Sequence, residues 1–187
     1  MKKEFYTMKI AGFERNLPVC KLNDTLCIAA FVLFGDVELT VAAATELIKK
    51  APPHDIIITP EAKAIALAHE IARQEENMTY IVARKHVKLY MKEVFAVEVK
   101  SITTEAKQTL YIDAIEAKMM KGKKVLIVDD VISTGGSIHS VEKLVEEAGG
   151  ITVGKMAVLA EGDSKDRKDI IYLEYLPLLD INGNPLD

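Results

Sequence analysis

The sequence contains no tryptophan and only two cysteines, Cys20 and Cys27, among 187 residues. Any stacking aromatic must therefore be Phe or Tyr. Two cysteines in mostly apolar surroundings do not build a disulfide framework, and the expectation is buried thiols in a reducing cytoplasm. No apolar run reaches the roughly eighteen residues a membrane-spanning helix needs. The opening residues, Met-Lys-Lys-Glu-Phe-Tyr-Thr, carry charge without an apolar signal core. Net charge is −4, so no general excess of positive charge points to nucleic acid or to an anionic membrane. No internal repeat, low-complexity tract or domain boundary interrupts the chain. Its length suits one α/β domain, residues 1–187, with a sizeable core.

What the chain does have is punctuation. Val125 to Val128 is a short, wholly apolar, β-branched-rich run, the pattern of a strand buried on both faces in a parallel sheet. From Ser137 to Ala148 the spacing of Ile138, Val141, Leu144, Val145 and Ala148 predicts a helix, stopped by Gly149 and Gly150. Between strand and helix lie Asp129, Asp130, Val131, Ile132, Ser133, Thr134, Gly135, Gly136 and Ser137. The two glycines let successive N–H groups converge at a helix N-terminus, an anion site suited to phosphate. Ser133, Thr134 and Ser137 add hydroxyls. Two carboxylates beside such a cradle would repel phosphate unless they bind something else, such as sugar hydroxyls or a divalent metal. The lack of a Lys-Ser/Thr after the glycines makes the Walker A loop a poorer match.

Other elements follow the same rules. Phe5 to Ile10 reads as a strand, Gly12 to Val19 as an irregular, turn-containing segment, and Leu26 to Phe34 as a strongly apolar stretch that suits either core or interface. Asp36 or Thr40 caps a predicted helix running to Lys50. Ile56 to Thr59 and Tyr80 to Ala83 are strands, separated by a helix over Ala64 to Gln74. This alternation implies a parallel sheet with right-handed crossovers, whose ligands bind beyond the carboxyl ends of the strands. Those ends carry Glu61, Ala62 and Lys63, then Arg84, Lys85 and Lys88, then the acidic and hydroxylated loop. Val94 to Val99 and Thr109 to Ile112 read as an antiparallel hairpin joined by a polar linker. Ile151 to Ala160 is a further strand, Asp163 to Asp169 a charged, solvated turn, Ile170 to Leu179 a last apolar stretch, and Asn182 to Pro185 a turn.

The segment Val125 to Ser137 resembles the PRPP-binding motif of the type I phosphoribosyltransferases: apolar strand, two acids, two apolar residues, then Ser-Thr-Gly-Gly-Ser. The resemblance extends over much of residues 54–150 to adenine and other purine phosphoribosyltransferases, through Asp55-Ile56-Ile57-Ile58, Glu61-Ala62 and Arg84-Lys85. It implies a single-domain parallel sheet with flanking helices, a flexible hairpin loop and a small hood, roughly residues 1–35, over a core of roughly 36–187. It implies transfer of ribose 5-phosphate from PRPP to a purine, adenine favoured, releasing pyrophosphate and a nucleoside monophosphate, with Mg²⁺ as cofactor in a cytoplasmic homodimer.

By the same resemblance, residues Val131 to Ser137 hold the 5-phosphate, and Asp129 and Asp130 are catalytic and metal-binding. Glu61, Ala62, Lys63, Arg84, Lys85 and Lys88 form the pyrophosphate side, with a non-proline cis peptide around Ala62-Lys63. Glu105, in the loop that closes over substrate, is an acid/base candidate, and Lys107 a pyrophosphate contact. The family's Phe-Arg-Asp reads Phe34-Gly35-Asp36 here, without the Arg. The base pocket is sought in Ala11–Lys21, with Phe13 as a stacking residue. Xanthine and hypoxanthine/guanine phosphoribosyltransferases share these features and stay open as alternatives. So does a non-catalytic regulator that senses PRPP, although the acidic net charge and the intact Lys63 and Arg84 weigh against it.

Overall fold

The computed structural model describes residues 2–76, 79–100 and 107–186. The chain opens with two strands, β1 (Phe5–Ile10) and β2 (Phe13–Lys21). They pair antiparallel through a turn at Ala11 and Gly12, where φ is +47° and +90°. Two successive positive φ values match the twist of a tight hairpin. The irregular segment expected at Gly12 to Val19 is therefore a regular strand. Pro18 has no N–H to give to the ladder, while its carbonyl accepts from the Ala30 N–H at 2.8 Å. Strand β3 (Leu26–Ala29) follows, and a late strand, β11 (Leu179–Asp180), returns from the chain end to pair with it. The hood is thus a sheet in the order β1-β2-β3-β11, and the C-terminal segment helps to build it. Cys20 pairs across from Ile28 and Lys21 from Cys27. Neighbouring rows face opposite ways, so Cys27 is buried but Cys20 is exposed, against the expectation of two buried thiols.

Helix α1 (Val37–Ile48) is capped by the Asp36 carboxylate, which accepts from the Leu39 N–H. Leu39, Ala43 and Leu47 recur at helical spacing and are fully buried, each leucine contributing about 1.5–3 kcal/mol. Then come β4 (Ile56–Pro60), α2 (Ile65–Gln74) and β5 (Ile81–Ala83). The hairpin β6 (Val94–Lys100) and β7 (Lys107–Asp113) follows, and an isolated bridge between Arg84 and Tyr111 ties it to the end of β5. A short helix, α3 (Ala114–Met120), starts in a reciprocal capping box between Asp113 and Glu116. At seven residues it is too short for a helical period to stand out in the sequence.

Strand β8 (Lys124–Ile132) leads into α4 (Gly136–Glu147), β9 (Ile151–Glu161), a 3₁₀ turn over Gly162–Asp166, and β10 (Ile171–Leu176). The main sheet has the order β10-β9-β8-β4-β5, with every pair parallel. Its two faces bury separate cores. Leu126 and Val128 of β8 pack with α1, α2 and the hood, while Val125 and Ile127 pack with α4, α3 and the hairpin. A strand buried on both faces explains the unbroken apolar run.

Candidate active site

Strand order reverses between β4 and β8. The connection from β4 moves outward to β5, whereas β8 continues the other way to β9 and β10. Such a reversal opens a crevice beyond the strand ends. A cavity of about 400 Å³ lies there, lined by the ends of β4, β5, β8 and β9 below and by Ile28 to Val32 of the hood above. A smaller bowl of about 40 Å³ adjoins it, formed by Asp129 and residues 131–138.

The bowl has the shape expected for a phosphate. Gly135 stands at the N-cap of α4 with φ +81°, an angle that a residue with a Cβ resists. A Cβ at Gly135 would also meet Nη1 of Arg167, the far end of a long side chain that can move aside. Arg167 uses Nε and Nη2 to donate to the two oxygens of Asp169, at 3.0 and 2.7 Å, and Nη1 is the nitrogen that faces the loop. The turn containing Arg167 is thus folded against the cradle, not merely solvated as its charge pattern implied.

Asp129 and Asp130 lie inside β8, which runs on to Ile132, so the strand does not stop at the acidic pair as expected. Both are buried, at 8% and 1% exposure. Burial, then the neighbouring Asp130 charge, pushes the Asp129 carboxyl well above the ordinary range. The Asp130 N–H donates to Asp129 Oδ1 at 2.9 Å, and Lys63 Nζ donates to Asp130 Oδ2 at 2.7 Å. Two hard oxygen donors beside a phosphate site suit Mg²⁺, which takes one or two carboxylates and fills its shell with water and substrate phosphates. Among the described residues no cluster of three or more His, Cys, Asp or Glu forms a closed cage.

The basic loops meet across the crevice. The bond between Glu61 and Ala62 is cis, one bond before the place the resemblance suggested. The Glu61 carboxylate accepts from the Lys85 backbone N–H at 3.0 Å and pairs with Lys88 Nζ at 3.1 Å. The Lys85 N–H, then Lys88, holds that carboxyl below its usual range. Arg84 lies over the Tyr90 ring at 5.5 Å, and its buried Nε has no hydrogen-bond partner, leaving a desolvated donor.

A model of the phosphoribosyl transferase domain matches residues 36–186. The chain belongs to the phosphoribosyltransferase family. It is 36% identical over 129 residues to a hypoxanthine/guanine phosphoribosyltransferase of Methanococcus voltae, a match covering 68% of this chain and 65% of the relative. It is 31% identical over 140 residues to an adenine phosphoribosyltransferase of Petrotoga mobilis, covering 75% and 77%. Its fold is similar to the crystal structure of adenine phosphoribosyltransferase from Thermoanaerobacter pseudethanolicus, with TM-score 0.64 and 22% identity over 92% of this chain and 95% of that one.

Within this phosphoribosyltransferase fold, the structure brings most of the residues named from sequence to one place. Glu61, Ala62, Lys63, Lys85, Asp129, Asp130, Val131, Ser133 and Ser137 line the larger cavity, and Ile132, Thr134, Gly135 and Gly136 complete the bowl. Lys107 opens β7. Glu105 lies outside the described residues. Phe13 lines neither site. Its ring sits under Arg15 at 5.4 Å, and Arg15 is held by Asp36 and Glu38. The hood surface over the cavity is Ile28 to Val32 instead of Ala11–Lys21. That stretch is bare of polar side chains, and so nothing in its sequence marked it as a site.

Proposed function

We propose that this chain is a purine phosphoribosyltransferase, joining ribose 5-phosphate from PRPP to a ring nitrogen of a purine and releasing pyrophosphate. Adenine is the favoured base. The observation that carries this reading is the buried Asp129–Asp130 pair at the mouth of the phosphate bowl, with Lys63 facing it.

The bowl holds the 5-phosphate as a handle on backbone N–H groups and hydroxyls. Asp129 and Asp130 accept from ribose hydroxyls and are the residues that would hold Mg²⁺, which would supply positive charge for the pyrophosphate. Lys63 and Lys85 line the cavity on the side assigned to the leaving group, and Arg84 and Lys88, which lie behind that lining, add positive charge to it. Glu61 acts by bracing Lys85 and Lys88, because its own negative charge would repel pyrophosphate. The bond from C1 to the pyrophosphate oxygen breaks with its electron pair, and the ring-nitrogen lone pair forms the new bond as that nitrogen passes its proton to Glu105, the acid/base candidate. The carboxylates stabilise positive charge developing on the sugar by fixed electrostatics. Glu105, from the segment between β6 and β7, and Lys107, from the first position of β7, are proposed to act on the same substrate.

The implied homodimer finds support in Phe34, Val37 and Val41, exposed apolar residues around a second, mostly apolar hollow of about 540 Å³ beside α1 and α2. A cytoplasmic setting fits two free thiols.

The test is a product assay with PRPP, Mg²⁺ and separate adenine, hypoxanthine, guanine and xanthine. Conversion of a purine to its nucleotide with equimolar pyrophosphate is the expected result. Tight PRPP binding without conversion would favour the PRPP-sensing regulator.

A further inference from the structure

Glu161 ends β9 inside the larger cavity. It is the one carboxylate of that cavity that accepts no hydrogen bond among the described residues. Asp129 accepts from the Asp130 N–H, Asp130 from Lys63, and Glu61 from the Lys85 N–H. Burial raises the Glu161 carboxyl above its usual range, and the Lys63 charge only partly offsets this. Its backbone is nevertheless fixed. The buried Ser164 hydroxyl contacts the Glu161 carbonyl at 2.8 Å and the Ile132 carbonyl at 2.6 Å, pinning the end of β9 to the end of β8. The side chain thus starts from a fixed point and brings a half-buried carboxylate, without a protein donor among the described residues, to the cavity wall, where a ligand donor can reach it.

Strand order says which ligand. Along the sheet the ends run β9, β8, β4, β5, carrying Glu161, the acidic pair, Lys63 and Lys85 in turn. Pyrophosphate leaves toward the cations of β4 and β5. An in-line nucleophile approaches C1 from the side away from those cations, and Glu161 is the polar strand-end residue of the cavity farthest along the sheet from Lys85. The other walls there are Ile28 to Val32 and Leu176, which offer the ring apolar surface and no side-chain hydrogen bond.

We propose that Glu161 is a specificity-determining residue that accepts a hydrogen bond from the exocyclic amino group of a 6-aminopurine and disfavours 6-oxopurines. An ionised carboxylate only accepts. It pairs with an amino group and repels a carbonyl oxygen, and a buried mismatch of that kind leaves both groups unpaired. This inference rests on the purine transferase reading, so its test separates the two.

The experiment compares the wild type with Glu161→Gln, whose amide can donate as well as accept, and with Glu161→Ala. Three quantities are measured: PRPP affinity without base, kcat/KM for adenine and hypoxanthine, and equilibrium affinity for AMP and IMP. The expected result is a wild-type preference for adenine and AMP. Both variants lower the adenine-to-hypoxanthine and AMP-to-IMP ratios by about tenfold or more, with PRPP affinity within about twofold of wild type. Ratios unchanged in the variants, a wild-type preference for hypoxanthine and IMP, or no binding of either nucleotide would overturn the assignment. A wild type that binds AMP over IMP but turns over no base would refute the transferase reading alone, and the nucleotide ratio would still decide the role of Glu161.

Discussion

Lys63 Nζ sits 2.7 Å from Asp130 Oδ2, a half-exposed cation closing on a carboxylate that is almost fully buried. In this arrangement the lysine occupies the place where a substrate-bound cation would approach the acidic pair. Under the proposed function, Lys63 would exchange one anionic partner, Asp130, for another, the pyrophosphate, when PRPP binds. Lys63→Ala should remove a pyrophosphate contact and leave a buried charge uncompensated. We expect KM for pyrophosphate in the reverse reaction to rise by about tenfold or more. Unchanged reverse kinetics would place the lysine outside the leaving-group site.

Asp130→Asn keeps the shape of the strand end and removes one negative charge. Turnover should fall by about a hundredfold or more, while circular dichroism and melting temperature stay near wild type. Activity within a few-fold of wild type would remove the acidic pair from the mechanism.

Gly135 meets two constraints at once, a φ of +81° and the approach of Arg167. Gly135→Ala should weaken PRPP binding through the angle, which costs about 1–2 kcal/mol, and through displacement of the Arg167 side chain. Arg167→Ala should relieve the steric part, so that Gly135→Ala is milder in that background. A double-mutant cycle on PRPP affinity measures the coupling, and strict additivity would mean that the two residues do not meet in solution.

Ser164→Ala removes a buried hydroxyl that serves two carbonyls. A loss of about 1–3 kcal/mol in unfolding free energy is expected in denaturant titrations. A neutral substitution would show that the ends of β8 and β9 are held together by other means.

The Arg15–Asp36 pair links the hood to the start of α1, with Nε to Oδ2 at 2.6 Å. The hydrogen bond from Arg15 lowers the Asp36 carboxyl below its ordinary value. A depressed carboxylate contributes stability that is complete above the unfolded value, about pH 4, and is lost as pH falls through the folded one. Asp36→Asn can still cap the helix but cannot form the ion pair. Its melting-temperature deficit should be greatest near neutral pH and shrink below about pH 4. A deficit independent of pH would assign the effect to packing.

The core of the site was legible in sequence because its chemistry is local. Asp129 through Ser137 are contiguous, and each loop that follows a strand could be read from the apolar run before it. What stayed hidden depends on long-range pairing. Glu161 sits just past the apolar run Met156 to Ala160, and it becomes a cavity residue only because β9 lies beside β8. Ile28 to Val32 looked like core or interface, since a roof built of apolar side chains leaves no polar trace. Phe13 shares a strand face with Arg15, two residues on in β2, and its ring packs under that guanidinium instead of facing the cavity. Arg167 read as a solvated charge until the turn after β9 folded it onto Gly135.

Strand β8 carries both of the molecule's apolar cores on its two faces and the acidic pair within the last stretch of its ladder, before Val131 and Ile132. The carboxylates are thus mounted on the most deeply embedded segment of the chain, not on a peripheral loop. Their amides should exchange with deuterium at rates near those of global opening, and heat inactivation should coincide with cooperative melting. Catalytic geometry in this molecule is then a direct gauge of whether the whole domain is folded.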